Sequence, residues 1–169
     1  FIQEHPDLLL AKAWVYQRQA RNTEFFAILE RLVSSYGPNS PDDSIFRGEV
    51  LALKSLWDFF TSQGELAETA ARQALNCLPA DYHSVRGFAF LILSAALQMQ
   101  GDIKQSMQVV WEAMRNDDGS VNTFKTAVLI APCYTDWIAA DLNRLKHSAT
   151  RLFKYGQENG LAETIHNGI

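Results

Sequence analysis

RGFAFLILSAALQMQGDIKQSMQVVWEAM, residues 86–114, decides the fold of this chain. Phe90, Leu93, Ser94 and Leu97 recur at helical spacing, Gly101-Asp102 breaks the run, and Ser106, Val110 and Ala113 resume it. The stretch predicts two helices joined by a tight turn. Ser94 is small among large neighbours. Such a pattern describes a packing surface and specifies no reaction.

Working outward, the same hairpin recurs along the chain. A shift of 39 residues brings Arg47-Gly48 onto Arg86-Gly87, Ser55 onto Ser94, Ala67 onto Ser106, Ala71 onto Val110 and Ala74 onto Ala113. A second shift of 39 brings Ser94 onto Cys133, Ser106 onto Leu145, Val110 onto Ala149 and Ala113 onto Leu152. The first hairpin joins at an offset of 42, with Phe25, Leu29 and Leu32 preceding Ala67, Ala71 and Ala74. The expected hairpins cover residues 6–36, 45–79, 84–115 and 122–156, and 1–169 is one domain. One helix pair cannot bury its apolar faces alone, so the pairs are expected to stack into an all-α, right-turning superhelical array, an α-solenoid with a period near 39. The second hairpin departs from the pattern. Lys54 and Asp58 stand where the third has Leu93 and Leu97, and Gly64 lies two residues past the Gly101 position.

Local signals set the expected boundaries. Pro6 and Asp7 suit a first helical turn, and GPNSPDDS, residues 37–44, is dense in turn formers. Pro79 ends the fourth helix, and residues 81–84 are expected to cap the fifth. RNDDGSV, residues 115–121, reads as a polar loop. Pro132 should kink or split the helix that contains it, and residues 161–166 could begin a ninth helix.

At 169 residues and 47% hydrophobic, the chain can bury roughly 70% of the surface its unfolded form exposes. A formal charge of −4 argues against a phosphate-binding surface, since nucleic-acid affinity draws on clustered Lys and Arg. The longest apolar run, residues 88–97, is half of what a bilayer span needs, and no basic-then-apolar leader opens the chain, so a soluble, non-membrane protein is expected. Cys77 and Cys133 cannot build a multi-bridge framework, which favours a reducing cytoplasm. The opening Phe1-Ile2, running straight into a helix, suggests a piece of a larger protein.

Little in the sequence points to catalysis, a metal or a cofactor. His5, His83, His147 and His166 are far apart and lack the spacing of a helical metal site. Asp81 with His83 reads more readily as a helix cap than as an acid–base pair, and Asn116 to Gly119 lacks the alternation of a calcium loop. Cys133, at the Ser55 and Ser94 position, is explained by its small size. The inner wall of the array is more informative. If Ser55, Ser94 and Cys133 face the second helix of each pair, the neighbouring positions turn inward. They place Trp14, Gln17, Glu49, Phe59, Phe88, Gln98, Tyr134 and Trp137 there, a mixture of apolar area and orienting polar groups suited to a ligand or partner.

The alternation of large and small residues around a glycine turn resembles the tetratricopeptide pattern, though with a longer period than the usual one. HPDLLLAKAWVYQRQ, RGEVLALKSLWDFFTSQGELAETAARQALNCLP, RGFAFLILSAALQMQGD and LNRLKHSATRLFKYGQENG, in that order, resemble the helical-repeat domain of the MalT-like, LuxR-type ATP-dependent transcriptional regulators. The resemblance implies a non-catalytic sensor domain that receives a small-molecule effector or a regulatory protein. It also implies neighbouring ATPase and DNA-binding domains in the parent chain, since this segment has neither a GxxxxGK[ST] phosphate loop nor a basic recognition helix. The alternative is a general tetratricopeptide-type scaffold that holds another protein without a small-molecule ligand.

Overall fold

A computed structural model describes residues 5–40, 44–115 and 123–161. Within them the chain is all-helical, with α1 (Pro6–Arg18), α2 (Asn22–Tyr36), α3 (Ile45–Phe60), α4 (Gly64–Cys77), α5 (His83–Met99), α6 (Ile103–Arg115), α7 (Thr123–Ile138) and α8 (Leu142–Asn159). No strand occurs among the described residues. Of the expected loop at residues 115–121, Arg115 instead ends α6 and the rest lies outside the described residues, as does the possible ninth helix, Leu161 excepted.

One kind of backbone turn joins α1 to α2, α3 to α4, α5 to α6 and α7 to α8. Ala20, Ser62, Gly101 and Ala140 all take positive φ, at offsets of 42, 39 and 39 residues. One residue later the amides of Arg21, Gln63, Asp102 and Asp141 each donate to a carbonyl five residues back, on Tyr16, Asp58, Leu97 and Asp136. This bond closes the end of the odd helix while the even helix begins. Three of the four left-handed positions are not glycine, at a cost of about 1–2 kcal/mol each. In the second hairpin Ser62, and not Gly64, holds the position equivalent to Gly101. Gly64 instead opens α4 against α5, where a Cβ would lie 3.0 Å from Cγ of Gln100.

Packing runs between neighbours. Each odd helix packs on the even helix after it and on the next odd helix, and α2, α4 and α6 pack on α3, α5 and α7. Leu9, Leu10, Ala13, Phe25, Leu29, Leu32, Val50 and Leu53 form one buried cluster; Leu51, Ala74, Leu78, Val85 and Ala89 form the next; Ala71, Leu93, Leu97 and Val109 a third; Leu129, Leu152 and Tyr155 a fourth. The small residues act as anticipated in the middle of the chain. Ser55 on α3 and Ala67, Ala71 and Ala74 on α4 are fully buried, and the Ser94 and Ser106 hydroxyls meet at 2.9 Å across α5 and α6.

The Arg-Gly pairs tie successive units together. Arg47 donates to the carbonyls of Gly37 and Pro38, and Arg86 to those of Leu75 and Leu78. Gly48 and Gly87 leave room beside them for Leu78 and Phe124. Two local expectations need correcting. α7 continues through Pro132 as one helix, so of the expected kink or split the split does not occur, and Val128, Leu129, Ala131 and Thr135 on either side are buried. Asp81 does not cap α5 either. Tyr82 occupies the cap position, without a side-chain cap bond, and its hydroxyl reaches Glu49 instead.

Candidate functional site

Three of the eight residues expected on the inner wall meet in one cluster. Trp14 on α1 donates its indole N–H to Oε2 of Glu49 on α3 at 2.6 Å. Its ring stands nearly perpendicular to that of Phe88 on α5, at 77° with centroids 5.2 Å apart. Tyr82, just before α5, donates its hydroxyl to Oε1 of Glu49 at 2.5 Å. All four side chains are half-buried. Neighbouring helices position them: Trp14 and Phe88 pack against both the cluster centred on Leu53 and the one centred on Leu51.

The electrostatics keep the phenol neutral. The hydrogen bond to Glu49, reinforced by burial, pushes the Tyr82 hydroxyl up to about 12, so the phenol stays protonated at neutral pH. The carboxylate is held by two neutral donors. Nothing in the cluster is a nucleophile beside a base, and among the described residues no group of three or more His, Cys, Asp or Glu could hold a metal ion. No described helix is long and apolar enough to cross a membrane. Burial, with the charge of Asp136, pushes the Cys133 thiol up to about 11, the behaviour of an inert packed thiol.

The remaining expected wall residues divide into three kinds. Phe59 is half-buried against the first apolar cluster with its ring tilted on Phe60, and Gln17 is half-buried at the end of α1. Gln98 is only 6% exposed and does not face an open wall. Its amide donates to Thr135 at 2.6 Å and Ser106 at 3.1 Å, tying α5 to α6 and α7, while its carbonyl oxygen has no partner. Tyr134 and Trp137 are open, at 47% and 64% exposure, and lie side by side with centroids 6.4 Å apart. With exposed Ile138 and Leu142 they extend an apolar strip over the end of α7. They share no ring contact or hydrogen bond with the Glu49 cluster.

The chain matches no family model, no curated protein and no solved structure.

Two features escaped the sequence reading. No spacing rule joins Tyr82 to Glu49, because Tyr82 stands outside the helical period that placed the other three. A groove of about 410 Å³ between α2 and α3 was also missed, although its cause was visible. Where α5 fills the corresponding face with Leu93 and Leu97, α3 carries Lys54 and Asp58, which pair at 2.5 Å between Leu29, Val33 and Trp57. Burial holds the Asp58 carboxyl above the usual carboxylate range, even with Lys54 beside it.

Proposed function

We propose that this chain is a non-catalytic helical-repeat binding domain, of the kind carried by MalT-like regulators, whose odd helices form the wall that receives an effector or partner. The observation that carries this reading is the turn repeated at Ala20, Ser62, Gly101 and Ala140, with its hydrogen bond at each site. Four like units, each packed on the next, form a stack whose stability is close to a sum of nearest-neighbour terms. The Trp14–Glu49–Phe88 cluster supports a wall built to hold something. A ligand there would act by binding one arrangement of the parent protein better than another, with about 1–3 kcal/mol of coupling.

A scaffold without an effector is the second reading, favoured by the exposed strip of Tyr134, Trp137, Ile138 and Leu142. The coding sequence around the segment separates the two. A phosphate loop upstream and a helix-turn-helix downstream are expected of the regulator; a kinase, a transferase or no further domain would overturn it in favour of the scaffold.

A further inference from the structure

Six carboxylates among the described residues are buried or half-buried, and Glu49 differs from the other five. Glu24 pairs with Arg21, Asp58 with Lys54, Glu68 with Arg72, and Asp136 and Asp141 with Arg144. Glu49 has hydrogen bonds from Trp14 and Tyr82, both uncharged, and no cation among the described residues. Its negative charge is therefore oriented but not neutralised. A half-sequestered anion without a counter-charge attracts a cation more strongly than one in open water, because the surrounding protein screens it less.

The rings around it restrict which cation fits. Trp14 and Phe88 meet nearly at right angles and make an apolar corner beside the carboxylate, with the Tyr82 ring on the third element. Aromatic faces attract cations through their quadrupole, most strongly where water is partly excluded. A hard metal ion needs six or more oxygen ligands, and here there is one carboxylate. A guanidinium fork needs two parallel acceptor directions, and each Glu49 oxygen already turns one of its two lone pairs to a ring donor, which crowds that approach. An alkylammonium needs neither: it presents diffuse charge and methyl or methylene surface.

We infer that the Trp14–Glu49–Tyr82–Phe88 corner binds an alkylammonium head group. This deepens the reading of the odd-helix wall as a ligand surface and rests on it.

The test is a titration of the whole chain with choline chloride and with 3,3-dimethylbutan-1-ol, the uncharged carbon analogue of choline. Ionic strength is held constant with sodium chloride, and the readout is the indole N–H resonance of Trp14, assigned with Trp14→Phe. Choline is expected to shift that resonance to saturation, with the analogue binding about tenfold or more weakly. Glu49→Gln should weaken choline by a similar factor while leaving the other indole resonances in place. A trimethyllysine peptide forms a third arm. If it binds more tightly than choline the head group belongs to a protein partner, and if choline binds alone it belongs to a free molecule; either supports the assignment. Equal affinity for choline and its analogue, or no movement of Trp14 with any ammonium probe, overturns it. That comparison uses the unaltered chain, so it stands even if Glu49→Gln fails to fold. An effector mapped elsewhere on the odd helices would overturn the ammonium assignment and leave the repeat-domain reading intact.

Discussion

Gly87→Ala sets helix propensity against helix packing. A methyl group on Gly87 would lie 2.8 Å from Cα of Phe124 and 3.1 Å from Cβ of Ala127. Carbon atoms in ordinary contact stand about 3.5–4.0 Å apart, so α7 would have to retreat by several tenths of an ångström. The obstructing atom is backbone, and α7 is anchored by buried Val128, Leu129 and Ala131, so the retreat opens gaps along the helix. Overpacking of this kind costs about 1–3 kcal/mol, against a gain of about 1 kcal/mol for Ala over Gly inside a helix. Because the 2.8 Å contact is with backbone, the upper part of that cost applies, about 2–3 kcal/mol, so the net loss is about 1–2 kcal/mol, which at this chain length lowers the melting temperature by about 2–8 °C. Gly64→Ala is the control. Its methyl would meet the flexible end of Gln100 at 3.0 Å, so Tm should stay within about 2 °C of the parent or rise. Thermal and urea melts followed by circular dichroism at 222 nm measure both. Gly87→Ala at or above the parent, or Gly64→Ala losing as much, would refute the packing argument.

Two titrations probe the charged groups. Because burial raises the Asp58 carboxyl in the folded chain, the folded state holds its proton more tightly, and stability drawn from this group falls as pH rises through its range. Asp58→Asn removes that loss, so urea midpoints should gain more between pH 4 and 7 in the variant than in the parent; an equal or smaller gain contradicts the assignment. Tyr82, pushed up to about 12 by Glu49, stabilises the fold fully below its ordinary value of about 10 and loses that contribution as pH rises through about 12. Absorbance at 295 nm should show one tyrosine ionising late, returning toward about 10 in Glu49→Gln; no change between the two would disprove the bond.

The all-helical character was legible because apolar spacing and turn residues act locally, and positive φ falls at Ala20, Ser62, Gly101 and Ala140 between consecutive helices. Gly64 lies two residues past the Gly101 position because here Ser62 bears the left-handed strain and the glycine serves close packing. Gln98 shared a helical position with Trp137 but not its surroundings. Ser94, Ser106 and Thr135 converge on its amide, a long-range arrangement that periodicity does not carry. Lys54 and Asp58 were visible as departures from the repeat, whereas the groove above them depends on how far α2 stands from α3.

A stack of like hairpins, each stabilised by its neighbours, should survive loss of its last unit, and the chain ended at Arg115 tests this directly by circular dichroism and urea unfolding. The account predicts that this shortened chain keeps the helical signal of its first three hairpins and unfolds cooperatively, at lower urea than the whole. Loss of helix, or a gradual transition without cooperativity, would contradict it and favour a closed bundle.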